Sequence, residues 1–235
     1  MQLDTFDLNY CVRRIPKKLL DLMKLPEWSG RVFIGGGFIR GVVAQEKIND
    51  IDLFVRSAED ARLLSGLLAD KPSDLIKTDN AYTIKGKLPI QVIFRWVFDK
   101  PEDVANSFDF TVCCAVIFFN QNHKWDSFAC DRFYSDLASK RLVYRSPVRN
   151  EDAGGSMLRV LKYYQRGYRI PLDSLGGIIA RLMTAVDIGG IDRGARENNT
   201  TIENQMAKVI TGLLREVDPN IDPNHDSHLS PLTEE

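Results

Sequence analysis

The segment Val32–Arg56, VFIGGGFIRGVVAQEKINDIDLFVR, is where the reading of this chain begins. Three apolar residues, Val32 to Ile34, run into a glycine triplet, Gly35 to Gly37, and an amphipathic segment follows from Phe38. A second apolar run carries Asp50 and Asp52 among Ile51, Leu53, Phe54 and Val55. Successive side chains on a strand point to opposite faces, so Asp50 and Asp52 share one face, about 7 Å apart, while Ile51 and Leu53 share the other. Asp is disfavoured in strands, so two on one face are either the polar side of a half-buried strand or a site. Magnesium suits such a pair, because it prefers hard oxygen ligands and bridges one or two carboxylates to substrate phosphates. The glycines make either a plain tight turn or a loop whose backbone approaches a phosphate, with the helix start and Arg40 adding positive charge.

The composite of Gly36, Gly37 and Arg40 in GGxxR, nine intervening residues, and Asp50 and Asp52 in DxD resembles the active-site signature of the DNA polymerase beta nucleotidyltransferase superfamily. The spacing is most similar to the head of class II tRNA nucleotidyltransferases and bacterial poly(A) polymerases. The resemblance implies that Gly36 and Gly37 hold a triphosphate beside Arg40 and that Asp50 and Asp52 bind the metal. Those enzymes usually carry an acid directly after the arginine, where this chain has Gly41.

Bulk properties describe an ordinary globular protein of 235 residues, 44% hydrophobic and 27% charged, enough chain for one large domain or two small ones. No apolar run approaches the roughly 20 residues that span a bilayer, and MQLDTFDLNY lacks a signal sequence, so a cytoplasmic protein without membrane contact is expected. Cys11, Cys113, Cys114 and Cys130 form no CxxC pair and read as buried free thiols rather than zinc ligands. The net charge of -1 excludes wholesale nucleic-acid coating, but charge is unevenly placed. Between Lys140 and Arg169 stand eight basic residues against Glu151 and Asp152.

Along the chain, Pro16 starts a helix through Leu25, and the basic cluster Arg13 to Lys18 reads as its solvated start. Ser57 caps a helix to Ala69 with Leu63, Leu64, Leu67 and Leu68 on its buried side. Short strands follow at Leu75 to Lys77, Tyr82 to Lys85 and Ile90 to Phe94, then a helix from Pro101. FDFTVCCAVIFF, Phe108 to Phe119, reads as the main core strand, paired with Trp125 to Ala129 ahead of a short helix at Arg132 to Lys140. This alternation predicts an α+β fold, a mixed β-sheet with helices on one side.

Asp109 opens that long apolar run, and an unpaired buried carboxylate costs several kcal/mol. It is either the third acid of the metal site, helping to deprotonate the attacking hydroxyl, or a structural cap after the preceding helix. DFTV at Asp109 to Val112 looks like part of a class II motif associated with the nucleotide ribose. Here Ser107 and Phe108 stand where that motif has two arginines, and Cys113 where it has asparagine. Gln91 occupies a strand position where related enzymes often place an acid, which favours Asp109 as the third carboxylate.

A helix from Asp152 to Gly167 carries Met157, Leu161, Tyr164 and Tyr168 on one stripe, read as packed, and Arg159, Lys162, Arg166 and Arg169 nearly opposite. LRVLKYYQRGY resembles the helix joining head to neck in class II enzymes, with Arg159 as its central arginine. Helices at Leu172 to Val186 and Thr201 to Val217, with a Gly-rich turn from Gly189 to Gly194, complete the expected organisation: head 1–148, helical neck-like subdomain 149–217 and a disordered acidic tail 218–235.

The expected activity is metal-dependent transfer of a nucleoside monophosphate from a nucleoside triphosphate, ATP or CTP, to an acceptor hydroxyl. Asp50, Asp52 and Asp109 would hold magnesium, Gly36, Gly37 and Arg40 the phosphates, and Arg159, Lys162 and Arg166 an RNA or tRNA 3′ end. Transfer to a protein or small molecule, or nucleotide binding without turnover, is the alternative. The oligomeric state is not legible.

Overall fold

The structure, a computed structural model, describes residues 1–145, 153–184 and 186–217. The expected disordered tail at 218–235 lies outside these residues. The chain forms two compact units, Met1–Pro147 and Val148–Glu235.

The first unit is built on a seven-stranded mixed sheet, as the alternation of elements predicts. Its strands are β1 (Val32–Gly35), β2 (Ile51–Val55), β3 (Leu75–Lys77), β4 (Ala81–Ile84), β5 (Ile90–Ile93), β6 (Ala115–Phe119) and β7 (Trp125–Ala129). Their order is β3-β4-β5-β2-β1-β6-β7, with β2 and β5 parallel and the other neighbours antiparallel. Ile51, Leu53, Val55 and Val92 are fully buried on one face. The helices α3 (Gly37–Val43) and α4 (Ala58–Leu68), which lie against β2 and its neighbours, cover that face. On the face carrying Asp52, the short helix α5 (Pro101–Asn106) packs Val104 and Ala105 against Phe33, Phe54 and Val116.

Several elements depart from expectation. An additional helix, α1 (Thr5–Val12), precedes α2 (Lys17–Met23); the Asp4 carboxylate accepts from the Phe6 amide and caps it. The Ser57 cap of α4 is present, accepting from the Asp60 amide, but Leu63 and Leu67 are exposed and the buried positions are Asp60, Ala61, Leu64, Ser65 and Leu68. Arg31 reaches back to Asp60, giving that buried acid its partner on the helix's inner side.

FDFTVCCAVIFF is not one strand: only Ala115–Phe119 is, preceded by a 3-10 turn at Thr111–Cys113. Upstream of that turn the backbone pairs elsewhere, Thr111 N–H donating to Val143 O and Arg145 N–H to Asp109 O. Most of the run is buried, the 3-10 turn at Thr111–Cys113 as much as the strand, and that hides the change of conformation. At the outer edge of β7, Ala129 exchanges backbone hydrogen bonds with Met1, and the Leu3 amide donates to Ser127 Oγ. The helix α6 (Phe133–Ala138) closes the unit, its buried Asp136 held by Thr111 and Arg132.

The second unit contains α7 (Ala153–Tyr164), α8 (Leu172–Thr184), α9 (Ile188–Glu197) and α10 (Ile202–Val217). The stretch expected to be a Gly-rich turn at Gly189 to Gly194 is the helix α9, buried through Ile191 and Ala195. Its glycines permit close approach: a Cβ on Gly194 would stand 2.6 Å from Gln205 Nε2 of α10. The α7 face also differs. Ser156, Val160 and Tyr163 are its buried positions, while Leu161 and Tyr164 are 51% and 59% exposed. Tyr168, just past the helix, is fully buried with its ring 5.4 Å from that of Tyr163.

Candidate active site

The glycine loop and the acids meet because β1 and β2 are antiparallel neighbours. In that ladder Gly35 is the Cα partner of Asp52, so the end of β1 lies beside the carboxylate. Asp50 stands just before β2 and Asp52 inside it; both are half-buried, on the face opposite Ile51 and Leu53. The chain turns at Gly36, whose φ of 68° and ψ of -129° suit glycine alone, and α3 begins at Gly37. A Cβ built on Gly36 would lie 3.8 Å from Asp52 Oδ2.

The triplet divides in two. Cβ atoms on Gly35 and Gly36 would each come within 2.9 Å of the Phe108 ring, whereas one on Gly37 would meet nothing within 4 Å. Phe108 sits edge-on to Phe54, ring centroids 5.7 Å apart, in the apolar cluster that also holds α5. The first two glycines therefore make room for an aromatic ring, and the open side of the loop is at Gly37. The sequence marks Phe108 only as a departure from a motif; its contact with the loop requires the tertiary fold.

Arg40 is the fourth residue of α3 and is 3% exposed. Its Nη1 donates to the Glu46 carboxylate, itself nearly buried, so the guanidinium fork has a protein partner. Glu46 is carried there by a loop that folds back on the helix: its amide donates to Gly41 O at 2.8 Å, and a Cβ on Gly41 would lie 3.1 Å from Ile48. Gly41 thus has a packing reason, since a side chain at that position would push this loop away.

Asp109 is 5% exposed and sits on the segment bridged to residues 143–145, not on the sheet beside β2. Among the described residues no group of three or more His, Cys, Asp or Glu side chains is arranged to hold a metal ion. Asp109, expected as the third acid, thus forms no such group with Asp50 and Asp52. Gln91, by contrast, is the Cα partner of Asp52 in the parallel β2–β5 pair, and its Nε2 lies 3.5 Å from Asp50 Oδ2. Two carboxylates and a carboxamide are hard oxygen donors, a set that fits a water-retaining magnesium ion and not a thiolate or imidazole metal.

The same row of the sheet continues outward. Thr83 is the Cα partner of Gln91 and Ile76 that of Thr83, so Asp52, Gln91, Thr83 and Ile76 share one face across four strands. Asp52, Gln91 and Thr83 are half-buried and Ile76 is 43% exposed. The covering helix α5 packs on β1, β6 and β7, leaving this half of the face less covered.

In the second unit Arg159 and Arg166 are half-buried, Lys162 is exposed, and each of the three already interacts with other groups of the protein. Arg169 lies over the Tyr164 ring, 5.1 Å from its centroid. The basic and exposed apolar flanks of α7 are nearly opposite, as the periodicity requires, but the packed face runs between them. No single described helix is long and apolar enough to cross a membrane.

The structure is similar to the Thermotoga maritima CCA-adding enzyme complexed with tRNA, with a TM-score of 0.55 and 20% identity over 94% of this chain and 57% of that one. It is similar also to a CCA-adding enzyme in complex with ATP, with a TM-score of 0.56 and 20% identity over 94% of this chain and 56% of that one. The fold is thus that of nucleotidyltransferases, with the α+β architecture of their head. By sequence, a protein of Bacillus phage SPbetaL7 named Gabija anti-defense 2 is 28% identical over 188 residues, 78% of this chain and 43% of that protein. The chain spans about half the length of these relatives. The model of the Gabija anti-defense 2 family matches residues 7–140, more than half of the chain, including the glycine loop, Asp50, Asp52 and Gln91. By that match this chain belongs to the Gabija anti-defense 2 family.

Proposed function

We propose that this protein is a metal-dependent nucleotidyltransferase that moves a nucleoside monophosphate from ATP or CTP to an acceptor hydroxyl. The observation that carries the reading is the β1–β2 register, which sets the Asp52 carboxylate beside the glycine turn and its open side at Gly37. The fold shared with CCA-adding enzymes, one complexed with ATP and another with CTP, supports it.

Asp50 and Asp52 would hold magnesium, which when bound supplies positive charge for the oxygens of the phosphoryl group in flight. The loop amides near Gly37 would take up the leaving phosphates, with Arg40 sharing its fork between them and Glu46. The acceptor oxygen forms a bond to the α-phosphorus as the bond between the α-phosphorus and the oxygen bridging to the β-phosphate breaks. Pyrophosphate leaves with the electron pair, and the acceptor's proton passes to solvent. Asp109 has a structural part in this scheme, fixing the segment that carries Phe108.

An RNA 3′ end is the leading acceptor, supported by the likeness to an enzyme complexed with tRNA and by the basic flank of α7. The second reading is transfer to a protein hydroxyl; the family's name, Gabija anti-defense 2, specifies no acceptor. Incubation with α-labelled ATP or CTP, magnesium, total RNA and a protein extract should label a macromolecule. The doubly substituted Asp50→Ala/Asp52→Ala protein should lose that labelling by about 1,000-fold or more. Whether the label rides on RNA or polypeptide assigns the acceptor; wild-type protein that labels nothing sinks the reading.

A further inference from the structure

Gln91 is tied to both acids of the site. It is the ladder partner of Asp52, so their side chains leave the sheet on the same face, and its amide nitrogen faces Asp50 Oδ2 at 3.5 Å. Two carboxylates on one face repel one another, and a neutral donor beside them relieves part of that repulsion without adding charge of its own. A contact of that length is weak, so the amide can hold the Asp50 carboxylate in place and still yield it to a cation. No further His, Cys, Asp or Glu among the described residues completes a group of three there.

We propose that Gln91 is the positioning residue of this site: it orients Asp50 and fixes the charge of the ion-binding face at that of two carboxylates. A two-carboxylate face binds a free divalent cation weakly, because affinity follows the number of charged ligands. The protein therefore takes its cation mainly as a complex with nucleoside triphosphate, whose phosphate oxygens supply the remaining ligands. This deepens the nucleotidyltransferase reading and rests on it. Thr83, the next residue outward in the row, is a built-in control, one strand further from Asp52.

The test is equilibrium dialysis of the full chain against Mn2+ alone and then against Mn2+ with a non-hydrolysable ATP analogue, the Mn2+ retained by the protein being measured in each case. Melting in the absence of metal checks that each variant is folded. The wild type should bind free Mn2+ weakly and the Mn2+–nucleotide complex at least about tenfold more tightly. Gln91→Glu, which adds a third carboxylate beside Asp52, should tighten free Mn2+ by about tenfold or more, and Thr83→Glu by much less. Gln91→Ala should weaken it a few-fold by releasing Asp50.

A folded Gln91→Glu protein with wild-type affinity for Mn2+, or a Thr83→Glu protein that gains as much, overturns the role of Gln91 and leaves the nucleotidyltransferase reading standing. Absence of binding in the wild type with and without nucleotide, persisting in Gln91→Glu, overturns both.

Discussion

The glycine-turn end of the sheet and the helix α7 were both legible as patterns, yet only the first pattern identifies its own buried side. In β2 the alternation of Asp52 with Leu53 leaves two choices, and pairing with β1 and β5 locks one of them along the whole strand. In α7 the stripe of Met157, Leu161 and Tyr164 looks like a core face, but the helix packs a face turned by about one residue, through Ser156, Val160 and Tyr163. A strand has two faces and is held by neighbours on both sides; a helix can rotate until the best-shaped side meets its partners. Gly154, Gly155 and Ser156 are buried, while the larger Leu161 is left half exposed.

The sharpest way to break this contrast is at the turn. Gly36→Ala places a Cβ against the Phe108 ring in a backbone conformation closed to alanine, and should cost about 3 kcal/mol or more in chemical denaturation of the head. Gly37→Ala, with open space before it, should cost about 1 kcal/mol or less. Equal losses at the two positions would mean that Phe108 is not packed on the loop.

In α7 the comparison is between neighbours. Tyr163→Ala should lower the stability of the helical unit by about 3 kcal/mol, and Tyr164→Ala by less than about 1 kcal/mol. Hydrogen exchange of the α7 amides reads both, and the reverse order would restore the stripe as the packed face.

The smallest effect concerns the thiols. Cys130 begins the segment leading into α6, and the nearby Cys114 thiol, the Arg132 and Phe133 amides and the Arg145 charge hold its pKa below the ordinary thiol value. Cys114 is pushed the other way by Cys130 and by burial, and burial pushes Cys11 up to about 12. Because the thiolate is the reactive form, Cys130 should be alkylated by iodoacetamide below the pH at which a free thiol reacts. Its rate should fall as pH drops through its own lowered pKa, while Cys11 and Cys114 stay unlabelled. Peptide mapping across a pH series reads each site separately.

What the sequence made legible follows from the range of the forces involved. The individual strands, the hairpins and the Ser57 cap depend on residues close in the chain, and β3, β5 and β7 fall within a residue of where alternation and turn residues set them. The closeness of Asp52 to the glycines was expected from the motif; the register that pairs it with Gly35 was not. The 3-10 turn at Thr111–Cys113 was not, because a buried run is apolar whether it is strand or turn. Glu46 was missed as the partner of Arg40, and Phe108 as the cover of the glycines, since each contact closes a loop whose path the pattern does not describe. Gly194 of α9 read as a breaker because what it faces, Gln205 of α10, lies on another helix.

The two borders of the sheet differ in a way that bears on self-association. Met1 already satisfies the backbone of β7 at Ala129, so an incoming strand from another molecule finds that border partly taken. The opposite border, β3, offers three residues ending in Lys77, too short and too charged to template a long ladder. Both borders thus discourage the sheet from growing into that of a neighbouring molecule, one by being occupied and the other by being short and charged.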